Sequence, residues 1–148
     1  MKKEDLQVFI DGVTHFFNQV SEVSAEVQTP YLENNDVSIN FEYTGIIGIS
    51  GKKKGCVYFT APESLLKPLL LVMGENNNSK NALLDLVGEV ANTISGNARR
   101  YFGSEFMISV PVVVEGETKR IKLPNKLRSY VIPLTWSSKE AALVISLE

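Results

Sequence analysis

Two side chains in this sequence are spaced to act together: Glu89 and Asn92, a carboxylate and a carboxamide, in the stretch Asn81 to Phe102, NALLDLVGEVANTISGNARRYF. On a helix, residues i and i+3 are neighbours on one patch of surface. Asp85, Gly88, Gly96 and Arg99 fall on the same stripe. A solvated helix face is ordinarily filled with good helix formers, yet here it carries two glycines, each costing about 1 kcal/mol against alanine. Glycine removes the side chain and lets another backbone approach closely. A shallow floor with two projecting polar groups reads as a docking surface. An exposed helix of loosely optimised sequence is the competing reading. The opposite stripe holds Leu83, Leu84, Val87, Val90, Ala91, Ile94, Ala98, Tyr101 and Phe102. It recurs at about 100° per residue and predicts a core face.

Little else in the chain could do chemistry unaided. One cysteine, Cys56, excludes an internal disulfide and a cysteine-rich metal site. It lies in a run of strand formers and reads as a buried, inert thiol. One histidine, His15, has no second imidazole to share a metal. No nucleophile elbow, phosphate-binding loop, zinc motif or dinucleotide fingerprint appears. The three lysines of GKKKG, residues 51–55, would suit a phosphate patch, but a solvated turn is the better reading. The chain has 148 residues, 44% of them hydrophobic and 22% charged, with a formal net charge of −2. That suits one domain, 1–148, and gives no electrostatic footprint for nucleic acid or an anionic membrane. Apolar runs are too short to span a bilayer, and MKKEDLQVFIDGV lacks the apolar run of a signal peptide. A cytoplasmic domain is expected.

Periodicity places the elements around the long helix. Leu6, Phe9, Ile10, Val13, Phe16, Phe17 and Val20 predict a first helix from about Lys3 to Val20. Strands are expected at Ala25 to Tyr31, with Pro30 at an end or edge, and at Val37 to Tyr43, which alternates with period two. Ile46 to Ile49 and Cys56 to Thr60 flank the GKKKG tip as a hairpin, with Gly51 and Gly55 supplying the turn. Pro62 opens a short helix to about Met73, which Pro68 should kink or split. Asn78 or Ser79 can cap the long helix and Gly103 can stop it. Four strands are then expected: Phe106 to Glu115, Thr118 to Leu123, Ser129 to Thr135 and Ala141 to Leu147, with Glu115-Gly116-Glu117 as a tight turn.

Helices segregated from hairpin-linked strands indicate an α+β fold with a mainly antiparallel sheet packed by two long helices and a short one. The order also suggests one helix-then-strands unit used twice. Asp11-His15-Asn18 in the first helix repeats the spacing Asp85-Glu89-Asn92 of the second, with His15 in the place of the glutamate.

Asp85-x3-Glu89-x2-Asn92, continuing to Gly96-Asn97, resembles the signature helix of the CheX, CheC and FliY phosphatase family. Thr44 to Thr60, TGIIGISGKKKGCVYFT, and Ile108 to Gly116, ISVPVVVEG, resemble CheX-like members in the expected order. The resemblance implies a phosphatase acting on the aspartyl phosphate of a CheY-like response regulator. It assigns Glu89 to anchoring the regulator through its active-site lysine, and Asn92 to orienting the attacking water. The types suit the task, since an amide accepts from water and donates to a phosphoryl oxygen, as a glutamine does in GTPases. Magnesium is expected in the regulator, with no cofactor in this chain. Gly88 and Gly96 become the cleared floor, with Asp85 and Arg99 as peripheral contacts. Asp85 also fits as an acid near a helix N-terminus, and Arg99 as a cation near a C-terminus. His15 offers no charge-assisted pairing, so one active surface per chain is expected. A homodimer joined through a sheet edge is implied by the resemblance alone. Two rivals stand beside this reading: a non-catalytic module that binds a regulator or flagellar switch, and an unrelated enzyme with its own pocket.

Overall fold

In a computed structural model describing residues 1–34, 39–116 and 128–148, three helices lie on one face of an eight-stranded antiparallel sheet. The elements are α1 (Lys3–Val20), β1 (Glu26–Val27), β2 (Tyr31–Asn34), β3 (Tyr43–Gly51), β4 (Gly55–Ala61), α2 (Glu63–Val72), α3 (Lys80–Phe102), β5 (Phe106–Ile108), β6 (Val112–Glu115), β7 (Arg128–Trp136) and β8 (Lys139–Leu147). This is the α+β architecture expected from the sequence. The strand order is β1-β7-β8-β4-β3-β5, with β2 also on β7 and β6 also on β3.

That order contains a pseudo-twofold. The β3–β4 and β7–β8 hairpins meet through β4 and β8, and each outer strand takes two short strands, so that α1 with β1, β2, β7 and β8 makes a first half and α3 with β3, β4, β5 and β6 a second. Gly45 pairs with Phe59 and Val113, while Tyr130 pairs with Ile145 and Leu32, so Gly45 answers to Tyr130 and Val113 to Leu32. Tyr58 and Val144 face each other at the centre and exchange under the same relation. Even the irregularities repeat. Three residues, 109–111, oppose Ile47 and Gly48, and three, 28–30, oppose Ile132 and Pro133. Each is a bulge of one extra residue, and each closes with a proline, Pro111 or Pro30.

The helices carry the core. Phe9, Val13, Phe16 and Phe17 of α1, Leu65, Leu66 and Leu69 of α2, and Leu83, Val87, Val90, Ala91 and Ile94 of α3 pack on Ile47, Val57, Phe59, Ile132, Leu143 and Ile145 of the sheet. On the other face Tyr58, Val131, Ala142 and Val144 are covered by Ile39 and Phe41, whose segment is pinned by Tyr58 Oη donating to the Ile39 carbonyl at 2.8 Å. Ser79 caps α3, its Oγ accepting from the Ala82 N–H at 3.3 Å, and Gly103 ends it at φ +95°.

Several expectations need correction. Pro68 does not split α2, which runs unbroken. Pro68 and Ser64 are exposed, so water can serve the carbonyl that proline leaves without a donor. The strand expected over Val37 to Tyr43 begins only at Tyr43; residues 39–42 are irregular, and 37 and 38 lie outside the described residues. Phe106 to Glu115 is broken by its bulge into β5 and β6. The strand expected at Thr118 to Leu123, and Glu117 of the turn, lie outside the described residues. Tyr101, expected in the core, is 55% exposed, whereas Leu86 and Ser95 are buried. Lys52 and Lys54 of the β3–β4 tip are exposed, as a solvated turn requires, and Lys53 is half-buried. Lys53 lies 5.3 Å from the Phe102 ring centroid and 4.0 Å from Asp5, and Lys52 pairs with Glu105 at 3.8 Å.

The register of the internal repeat also differs. α1 and α3 end 82 residues apart, at Val20 and Phe102, and touch 82 apart, where a Cβ on Gly12 would lie 3.3 Å from Ile94 Cγ2. The spacing match of Asp11-His15-Asn18 to Asp85-Glu89-Asn92 sits at 74, about two helical turns out of that register. The repeat is a property of the fold, and the matched triplets do not occupy equivalent places.

Candidate functional site

The seat of α3 fixes where its outer face stands. A Cβ built on Gly45 would lie 2.3 Å from the Val87 carbonyl oxygen and 2.8 Å from the Gly88 nitrogen, so β3 touches the helix backbone directly. Only glycine permits that distance. Gly88 is itself buried: a Cβ there would meet Val113 Cγ1 at 2.9 Å and Pro111 Cβ at 3.4 Å. Lys80 Nζ reaches Glu115 Oε1 at 3.1 Å, tying the start of α3 to the end of β6 and raising the lysine's pKa through the hydrogen bond. The middle of α3 is thus clamped from β3 below and β6 beside.

On the clamped helix Glu89 and Asn92 are exposed one turn apart, and neither makes a side-chain hydrogen bond or ion pair among the described residues. Both keep their full hydrogen-bonding capacity for a partner. Asp85 is exposed one turn before Glu89, and together they line a concavity of about 320 Å³ whose floor includes Leu70, Met73 and Leu86. Asp85 is the sixth residue of α3, beyond the first turn where the helix dipole favours an acid. Its explanation as a dipole partner therefore weakens. Arg99 is exposed in the last turn, as a C-terminal cation should be. Gly96 is half-buried with open space where a Cβ would stand, so it leaves the floor beside Asn92 low.

Gly88 is the exception. It was expected on the floor of a docking surface, but the backbone and side chains it admits belong to this chain. Its neighbours Gly45, Pro111 and Val113 support the site, and helix spacing alone does not reveal them. The signal for them was present in the glycine rhythm of residues 45–51 and in the ISVPV segment, yet spacing alone does not say which helix they meet.

Elsewhere the chain holds little competing chemistry. Among the described residues no group of three or more His, Cys, Asp or Glu could hold a metal, and no helix is long and apolar enough to cross a membrane. Burial pushes the Cys56 thiol from 9.0 up to about 11, which disfavours a nucleophilic thiolate. His15 is exposed on α1 in a shallow groove shared with Asp11, Asn97 and Arg100. A glutamate–asparagine pair is absent from α1 in either register, for Gln7 and Ile10 stand 82 residues before Glu89 and Asn92.

Residues 43–135 match the family model described as chemotaxis phosphatase CheX. No curated protein matches the chain. Among solved structures, a CheC-like superfamily protein from Shewanella sp. PV-4 superposes with a TM-score of 0.86 at 25% identity, covering 100% of this chain and 99% of its own. A putative chemotaxis protein from Desulfovibrio vulgaris Hildenborough gives 0.84 at 27% identity, covering 98% and 97%. The fold is also that of the Borrelia burgdorferi protein in a CheX-CheY-BeF3-Mg+2 complex, with a TM-score of 0.79, 17% identity and 97% of each chain covered.

Proposed function

Because the chain belongs to the chemotaxis phosphatase CheX family, we propose that it hydrolyses the aspartyl phosphate of a CheY-like response regulator, with Glu89 and Asn92 as its working side chains. The observation that carries the reading is the pair itself: a carboxylate and an amide, exposed, unpartnered and adjacent on the clamped turn of α3. Support comes also from the Borrelia relative, whose structure is of a complex with CheY.

In this reading Glu89 pairs with the lysine of the regulator's phosphorylation pocket, a charge-assisted contact that fixes the approach. Asn92 enters the pocket and accepts a hydrogen bond from one water while donating to a phosphoryl oxygen. The water oxygen bonds to phosphorus as the bond to the aspartyl oxygen breaks. The regulator's carboxylate is regenerated, the water proton passes to a phosphate oxygen, and inorganic phosphate leaves. Positioning and electrostatics supply the rate, as in other phosphoryl transfers. The amide carries no charge, so it neither repels the phosphoryl group nor competes with Glu89 for the lysine. Magnesium belongs to the regulator's pocket. Asp85 and Arg99 flank the pair as outer contacts, and the low floor at Gly96 leaves room beside Asn92. The setting is cytoplasmic, where such regulators act, and the chain works as a homodimer joined through a sheet edge.

The deciding measurement is the decay of a phosphorylated CheY-like regulator with wild-type protein and with Asn92→Ala. Acceleration by the wild type, lost in the variant while the complex still forms, is the expected result. Binding without acceleration by either protein would instead make the chain a non-catalytic module.

A further inference from the structure

Beside the Glu89–Asn92 turn lies an apolar surface that the fold does not bury. Val110 is 81% exposed, Val113 is 37% exposed, and Pro111 between them is exposed too. Pro111 and Val113 rest on Gly88, the residue before Glu89 and one turn before Asn92, so these two adjoin the face assigned to the regulator, and Val110 directly precedes them in the chain. We propose that Val110, Pro111 and Val113 form an apolar shelf that receives an apolar side chain of the same regulator while Glu89 and Asn92 engage its phosphorylation pocket. This rests on the function proposed above.

The pseudo-twofold provides an internal control. The bulge at residues 28–30 has the same strand geometry as that at 109–111, and both end in proline. Proline at that place is thus common to both halves. The residue before it is not fixed in the same way: it is Thr29 in the first half and Val110 in the second, and both are exposed. The first half, whose helix has no glutamate–asparagine pair, puts a polar residue there. The second half, whose helix carries the pair, puts an apolar one. Ser109 holds the second bulge rigid, its Oγ accepting from the Gly48 N–H at 2.8 Å and donating to the Val110 carbonyl at 2.9 Å. In the first half Pro133 answers to Gly48 and has no N–H to give. A bulge that re-aims a side chain beside a working site is a recurrent device. Charge and hydrogen bonding at Glu89 and Asn92 recognise what every such regulator shares. A shape-dependent apolar contact separates one regulator from another.

The test measures affinity for the beryllofluoride-loaded regulator, the hydrolysis rate in the saturated complex, and the chain's sedimentation coefficient. Wild type, Val110→Glu, Val110→Ser and Thr29→Glu are compared. Val110→Glu should weaken binding about tenfold or more and Val110→Ser about threefold, with the saturated rate within about twofold of wild type. Thr29→Glu should leave affinity within about twofold. Unchanged affinity in both Val110 variants would overturn the shelf. So would a Val110→Glu protein that sediments as a smaller species yet binds the regulator normally, since Val110 would then belong to a contact between copies of the chain. A wild type that binds no phosphorylated regulator would overturn the underlying function and the shelf with it, a result separable from the other two.

Discussion

The two halves of the sheet are built alike and present unlike surfaces. Both have a hairpin, a helix before two short outer strands, and a proline-closed bulge. They differ where helix meets sheet. In the second half Gly45 and Gly88 bring α3 onto β3 at backbone contact. In the first half Tyr130 answers to Gly45, and Leu6, 82 residues before it, answers to Gly88. Both places carry a side chain, so the backbone contact that Gly45 and Gly88 allow is closed to them. The half with glycine at these places is the half whose outer face carries Glu89 and Asn92. The function proposed for that pair needs geometry held to a fraction of an ångström, and a helix resting on backbone has less freedom to rock than one resting on side chains.

That comparison can be attacked directly. The largest effect is expected from Asn92→Ala, which should slow regulator dephosphorylation about a hundredfold or more at saturation while binding stays within about twofold. Asn18→Ala on α1, matched in spacing but not in place, should leave the rate unchanged. Equal losses in both would erase the distinction between the halves. Gly45→Ala comes next. Its Cβ would stand 2.3 Å from a carbonyl oxygen, so the domain should lose about 2–4 kcal/mol by denaturant unfolding. Gly88→Leu should also destabilise, through Val113 and Pro111, instead of merely blocking a partner. A Gly45→Ala protein as stable as wild type would remove the backbone seat from the account. Glu89→Ala should raise the dissociation constant for the regulator about tenfold, through loss of a charge-assisted contact. The smallest effect has the opposite sign. Gly96 lies inside the helix with open space around it, so Gly96→Ala should raise stability by about 0.5–1 kcal/mol. If the floor must stay low for the regulator, the same change should weaken docking.

Much of this was legible in the residues. Periodicity gave α1 its observed bounds, and Ser79 and Gly103 marked the ends of α3, because caps and repeats act over a few residues. The pairing of a carboxylate with an amide at i, i+3 was visible for the same reason. What escaped was decided at longer range. Gly88 looked like floor because nothing local says that Val113, 25 residues later, will cover it. Tyr101 sits on an apolar stripe, but the stripe outruns the surface available to bury it. The bulge at 109–111 reads as continuous strand until its partner strand supplies only two residues opposite three. In the sequence the repeat shows as an Asp and an Asn at equal spacing, while the structure carries it in strand pairing, where the shared letters are the bulge prolines Pro30 and Pro111.

The seam between β4 and β8 has a further consequence, for the order of assembly. It joins Cys56 to Ser146, 90 residues apart in sequence, and lies at the centre of the sheet. Each hairpin can form as soon as it leaves the ribosome, but β4 has only β3 beside it until β8 is made. Contacts of such long sequence separation close late and slowly. During that interval Val57 and Phe59, fully buried in the finished molecule, lie on a strand with one open edge. The centre of the sheet is therefore the last part to become safe from aggregation during synthesis.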